Sequence, residues 1–159
     1  MEPRFESAPP RLLIGKKLQM SLAENRTREL WQSFMPVMNQ IGAPISEYLF
    51  SVQVYSPGSD TFSLSTVFDK WAAIEVADLS SVPDGMETLT IPGGEYVVFI
   101  HKGAGPTAAG TFGYIFGTWL PTSGYVLDDR PHFEMLGIKY RNDHPESEEE
   151  IWLPVRLKS

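Results

Sequence analysis

The sequence predicts an α+β fold: duplicated β-α-β-β modules forming a mostly antiparallel sheet of about eight strands, with two helices on one face. Three observations carry this. Apolar residues recur at helical spacing in only two segments. Strand-like segments surround each of them in the same order, β-α-β-β and again β-α-β-β, a period near 75–80 residues. Two helices are also too few to cover both faces of a parallel sheet, whereas an antiparallel sheet needs cover on one face only. The 159 residues are sized for a single domain, with a first repeat at about 11–80 and a second at about 86–158.

Arg11–Met20 (RLLIGKKLQM) reads as the first strand, and Ser21–Arg26 as polar loop. Thr27 is placed to cap a helix reaching about Ile41, because Leu30, Phe34, Val37, Met38 and Ile41 fall at spacings of three and four. Pro36 predicts a kink or two shorter helices, since it removes an N–H and crowds the preceding turn. Gly42 and Pro44 end the helix. Tyr48–Tyr55 is rich in strand formers, Ser56–Asp60 is a turn, and Phe68–Ala77 is the next strand.

In the second half, Glu87–Ile91 and Tyr96–His101 are strand-like, separated by a break at Pro92, Gly93 and Gly94. Lys102–Gly110 is a glycine-rich connection. Phe112, Ile115, Phe116 and Trp119 follow at helical spacing, with a stop before Pro121. Tyr125–Pro131 reads as loop, His132–Tyr140 as strand, Arg141–Ser147 as acidic loop and Glu149–Leu157 as the last strand.

Composition excludes several functions. The 13 basic and 20 acidic residues leave a net charge of −7, with no Lys/Arg cluster of the kind that displaces counter-ions from DNA. With no cysteine there is no disulfide, thiol catalysis or cysteine zinc site. Met1–Pro10 has no apolar stretch, so it is not a signal peptide, and no run is long enough to span a membrane. A cytoplasmic protein is the expectation, without cofactor or metal. Gly103-Ala104-Gly105-Pro106-Thr107-Ala108 matches G-x-G-x-x-A, but Pro106 removes a donor where pyrophosphate needs one, and the segment reads as plain loop. His101, His132 and His144 lie on separate elements without metal-ligand spacing. No G-x-S-x-G elbow occurs.

The chemistry that remains is acidic and aromatic. Counting by two along the last strand, Glu150, Trp152, Pro154 and Arg156 share one face, and Ile151, Leu153, Val155 and Leu157 the other. The branched apolar set belongs against the helices, which places Glu150 and Trp152 on the opposite face, taken as the groove. Glu134 shares a face with His132, Leu136, Ile138 and Tyr140, and Trp71 shares one with Ala73 and Glu75. Aromatic walls with an acidic floor suit an organic cation or a large apolar aromatic. The same tryptophans serve equally as core filler, and the same glutamates as surface residues.

Several stretches, taken in order, resemble a known family: Pro83-Asp84-Gly85-Met86-Glu87, Ile91-Pro92-Gly93-Gly94-Glu95-Tyr96-Val97-Val98-Phe99, Trp119-Leu120-Pro121 with Gly124-Tyr125, Arg130-Pro131-His132-Phe133-Glu134, and Glu150-Ile151-Trp152-Leu153-Pro154-Val155. From about Arg11 to Lys158 the chain resembles the GyrI-like small-molecule-binding family, which includes effector-binding domains of AraC- and MerR-type regulators. The resemblance implies two β-α-β-β modules and a ligand groove between them, lined by aromatics and an acid, Glu150 or Glu134. It also implies bulky, cationic or aromatic ligands. About ten residues precede the first strand, so a stand-alone module without direct DNA binding is expected.

The leading reading is therefore a module that senses or sequesters a bulky hydrophobic or cationic drug or toxin, with Trp71, Tyr96, Trp119, Glu134, Glu150 and Trp152 as ligand-binding candidates. One alternative is a hydrolase of strained, cyclopropane-bearing toxins, using Glu150 or Glu134 as general base. Another is a gyrase-interacting protective protein, with the acidic run Glu146, Glu148, Glu149 and Glu150 imitating phosphates. The partner is a small hydrophobic or cationic ligand in the first two readings and a protein in the third.

Overall fold

A computed structural model describes residues 2–61, 63–103, 108–137 and 148–159. The strands are β1 (Arg4–Ala8), β2 (Arg11–Met20), β3 (Pro44–Val54), β4 (Phe68–Val76), β5 (Glu87–Ile91), β6 (Gly94–Lys102), β7 (Tyr125–Leu127), β8 (His132–Leu136) and β9 (Glu148–Leu157). Helix α1 (Thr27–Phe34) follows β2. Helix α2 (Ala108–Tyr114) follows β6 and runs through a π-helical turn (Ile115–Trp119) into the single turn α3 (Leu120–Thr122). The fold is α+β, and among the described residues every strand pairing is antiparallel.

Several expectations need correction. Arg4–Ala8, not expected to be a strand, forms β1 against β6. Tyr125–Leu127, read as loop, is β7 and pairs with the end of β9, so the described residues hold nine strands rather than about eight. Thr27 does not cap α1: its hydroxyl turns to Met20 Sδ at 3.5 Å, and its own N–H donates to Asn25 Oδ1 at 2.9 Å. Pro36 ends α1 at Phe34 and turns Met35–Gln40 into a 3₁₀ segment, one of the two outcomes expected of it. Pro121 does not stop the second helix. It falls in the first turn of α3, where a missing N–H costs least, just after the π-helical turn has widened the ladder. The expected strand end at Ile138–Tyr140, the acidic loop with His144 and Glu146, and most of the Gly103–Ala108 motif lie outside the described residues.

The main sheet has the order β1-β6-β9-β8-β3-β4-β2-β5. This order has the same form from either end: a short strand, the strand before a helix, the last strand of the module, then the strand after the helix. β3 and β8 meet at the centre. Yet β1 precedes β2 by only two residues and β5 precedes β6 by two, although each pair lies at opposite ends of the sheet. The sheet must therefore curl until its ends approach one another. Arg11 on β2 shows how far: its guanidinium lies 5.2 Å from the Trp152 ring on β9, though four strand spacings, about 19 Å, separate them along the sheet.

Curling creates a core without helices. Leu13, Phe50, Val52, Trp71, Tyr96, Val98, Phe133 and Trp152 fill the concave face. The other face carries both helices. Leu30 and Phe34 of α1 pack on Ile14, Ala72, Ile74 and Val76, and Ile115 packs on Val97, Phe99, Ile151, Leu153 and Val155. Pro154 is tolerated inside β9 because its backbone faces the gap where β8 pairing ends and β7 pairing begins. Its carbonyl accepts from the Asp128 N–H at 2.9 Å on that side, and no ladder bond is lost.

Candidate functional site

Between the two helices the sheet is left uncovered, and a cavity of about 700 Å³ opens there. Its floor is the central strands β3, β4, β8 and β9. Its walls include Phe112, Gly113, Phe116 and Gly117 from the second helix, with Leu22, Asn25 and Thr27 at the start of α1. Gly113 and Gly117 leave the helix wall without side chains, and a Cβ added at either meets nothing within 4 Å. The wall therefore stands back and the cavity is wide.

Strand register orders the polar groups on and beside the floor. Lys70, Gln53 and His132 form one row across β4, β3 and β8. Ala72, Ser51, Glu134, Ile151 and Phe99 form the next. Leu49, Leu136, Glu149 and His101 form a third. Lys70, His101, His132 and Glu149 are all buried, at 7%, 4%, 9% and 5% exposure. Such groups belong on a floor only if they satisfy one another. The Glu149 carboxyl hydrogen-bonds to that of Glu134, and both sit in the field of Lys70. His101 Nδ1 meets Thr111 Oγ1 at 2.6 Å, fastening β6 to α2. Gln53 Nε2 donates to the Tyr55 hydroxyl at 2.8 Å, and the Tyr55 ring leans on Phe68 and His132.

Burial sets the protonation of these groups. It pushes His132 down to about 4, so the imidazole is neutral at pH 7. It lowers Lys70, against which the charges of Glu134 and Glu149 act in the opposite direction. Burial raises Glu149 well above the usual carboxylate range, and the hydrogen bond and charge of Glu134 raise it further, with Lys70 opposing. Burial also raises Tyr55, partly offset by the Gln53 hydrogen bond.

Of the six residues singled out from the sequence, Glu134 and Trp152 border this cavity. The Trp152 indole itself belongs to the concave core, stacked on Phe133 with a centroid distance of 5.3 Å. Trp71 and Tyr96 lie in that same core. The Tyr96 hydroxyl donates to the Pro92 carbonyl at 2.9 Å, and its ring carries the Arg130 guanidinium at 4.7 Å. Trp119 packs edge-on against Phe99, in the core beneath the second helix and away from the cavity lining. Glu150 is on the concave side, accepting from Arg4 Nη2 and from Trp152 Nε1, both at 3.0 Å.

The face expected to carry the groove, with Glu150 and Trp152, is not the face on which this cavity opens. Ile151, Leu153 and Val155 do face the helices, but the open cavity is on that same face, and Ile151 and Leu153 line it. The face away from the helices is closed by the curl of the sheet. Lys70, Glu149, His132, Tyr55, Phe112 and Phe116 were not among the ligand-binding candidates. Period two carried part of the signal: Lys70 is the one charge on a face it shares with Ala72, Ile74 and Val76, and Glu149 shares a face with Ile151 and Leu153.

The family described as GyrI-like small molecule binding domain matches residues 1–156. The chain belongs to this family. As a GyrI-like domain it is 26% identical over 157 residues to the transcriptional regulator BrlR of Pseudomonas aeruginosa, covering 98% of this chain and 56% of that protein. The chain thus spans a little over half the length of that curated relative. Among solved structures, SAV2435 bound to tetraphenylphosphonium superposes with a TM-score of 0.76 at 16% identity, covering 98% of this chain and 94% of the other. The EcmrR C-terminal domain does so with a TM-score of 0.73 at 17% identity, covering 99% and 98%. At these identities the two structures establish the shared fold. Among the described residues no helix is long and apolar enough to cross a membrane.

Proposed function

We propose that this GyrI-like domain senses or sequesters bulky hydrophobic and aromatic small molecules, drugs or toxins, in the cavity between its two helices. The observation that carries this is the cavity itself. Its 700 Å³ falls in the range of drug-sized sites, and Tyr55, Phe68, Phe112 and Phe116 give it aromatic walls around a few polar groups. The tetraphenylphosphonium bound to SAV2435 supports the size and aromatic character of the ligand class. Glu134 is the acid we assign to this site. The domain is read as one unit of two modules, about 11–80 and 86–158, on the strength of the symmetric strand order.

The test is a plug. A phenylalanine at Gly117 fills the cavity from the helix wall, where open space surrounds the position. We expect Gly117→Phe to lose at least tenfold in affinity for tetraphenylphosphonium or triphenylphosphine oxide by isothermal titration. Its melting temperature should not fall, because glycine is a poorer helix former than phenylalanine by about 0.5 kcal/mol. Undiminished binding by the plugged variant would rule the cavity out.

One observation favours a second reading, hydrolysis. Burial and the neighbouring Glu134 raise Glu149 well above the usual carboxylate range, and Glu134 itself borders the apolar cavity, a pairing suited to general acid–base work. Turnover of an electrophilic cyclopropane by the native protein, lost in Glu134→Gln, would establish it.

A further inference from the structure

The groove floor carries its own cation. Lys70, on β4, borders the cavity together with Glu134 of β8, and is only 7% exposed. Glu149 lies one row further along the sheet, beyond the cavity lining, hydrogen-bonded to Glu134. Two carboxyl groups bonded to each other need a proton between them, so the pair carries one negative charge rather than two. Lys70 is the lysine set against this pair: burial lowers its pKa, and the charges of Glu134 and Glu149 oppose that lowering and favour its ammonium form. His132, between Lys70 and the rest of β8, is neutral and adds nothing to the sum.

We infer that Lys70 is the resident counter-ion of the Glu134–Glu149 pair, and that it sets the ligand class of the cavity to bulky aromatics without a permanent charge. This rests on the cavity being the ligand site. A permanent organic cation gains attraction from Glu134 but meets the Lys70 ammonium on the same floor, and the two cancel. It has also left water to do so, and that cost is not returned. An uncharged aromatic of the same size keeps the gain of burial against Phe112, Phe116 and Tyr55 and owes nothing to the floor's charges. Lys70 thus acts as an element of exclusion: it leaves shape to the aromatic walls and decides charge.

The experiment uses three phenyl-bearing probes of differing charge: tetraphenylphosphonium, triphenylphosphine oxide and tetraphenylborate. Titrated into the native protein, the uncharged oxide should bind at least as tightly as the phosphonium. Lys70→Met keeps the length of the side chain and removes the charge, leaving the floor with one net negative charge. The phosphonium should then gain at least about tenfold relative to the oxide, as a unit charge a few ångströms away does at intermediate dielectric, and the borate should weaken. Adding Glu134→Gln to Lys70→Met should remove the gain.

A phosphonium more than tenfold tighter than the oxide in the native protein overturns the assignment, whatever the variants do. So does a ratio that Lys70→Met leaves unchanged. If circular dichroism shows Lys70→Met unfolded, Lys70→Gln takes its place and the native ratio still decides. Binding that Gly117→Phe abolishes, but whose charge preference ignores Lys70, removes the counter-ion and leaves the cavity reading standing. Absence of binding by all three probes to native protein and variants removes both.

Discussion

Lys70, His132, Glu134 and Glu149 are four ionisable groups on one apolar face, and their environment gives them unequal work. His132 has a stability consequence. Its pKa is lowered to about 4 from an ordinary 6.5, so the unfolded chain binds a proton that the native state refuses. The stabilisation is fully present above about pH 6.5 and is lost as pH falls through 4, by roughly 3 kcal/mol in all. Glu149 has the opposite sign. Its pKa is raised, so its contribution is present below the usual carboxylate range and is lost as pH rises through the folded value. Urea midpoints should therefore fall on both sides of a maximum. His132→Phe should flatten the acid limb, and Glu149→Gln, neutral at every pH, the alkaline one. An acid limb unchanged in His132→Phe would show the imidazole to be hydrated.

At the scale of elements, alternation and close approach do most of the work. In β9 the period of two sends Ile151, Leu153 and Val155 under the second helix and Trp152 into the concave core, so one strand serves both layers. In β2 the same period puts Gly15 opposite Ala73 on β4. A Cβ there would overlap the Ala72 carbonyl and crowd Ala73 Cα at 2.6 Å, both of them backbone atoms that cannot give way. Gly15→Ala should cost about 1–3 kcal/mol by forcing β2 from β4, read as a lowered denaturation midpoint. Gly117→Ala, in open space on the helix wall, should show no such loss. Equal destabilisation of the two would mean that strand separation is not the limiting contact.

The whole molecule depends on the curl of the sheet, and Arg11 is where the curl is fastened. Its guanidinium lies over the rings of Phe50, Phe133 and Trp152 at 5.2–5.6 Å and bonds Glu75 Oε1 at 2.9 Å, with both side chains mostly buried. Removing one member of a buried pair leaves the other charge unmatched. Glu75→Ala should cost about 3 kcal/mol, measured by chemical denaturation. Replacing both, as Arg11→Met with Glu75→Met, should recover much of that loss. If the double variant is no better than the single one, the aromatic contacts of Arg11 rather than its charge hold the sheet ends together. The opposite layer, with its two helices and the gap between them, exists because the main sheet is eight strands wide and two short helices cover only its flanks.

The sequence by itself determined the class of fold, the two helices, the break at Pro36 and the alternation of the last strand. These are local matters: period, turn residues and proline act over a few positions, and the residues that set them are neighbours in the chain. The motif order carried the family, and Glu134 was visible as a carboxylate among apolar neighbours. β1 and β7 were not legible, because each is a strand only through a partner far along the chain, β6 and β9. Nor was the side on which the cavity opens. Alternation separates Trp152 from Ile151 but does not say which face is closed. That was decided by the two-residue links from β1 to β2 and from β5 to β6, which join opposite ends of the sheet and curl it shut over its tryptophans. The opening was left to the helix face, where Lys70, Glu134 and Glu149 meet from three strands that no local pattern relates.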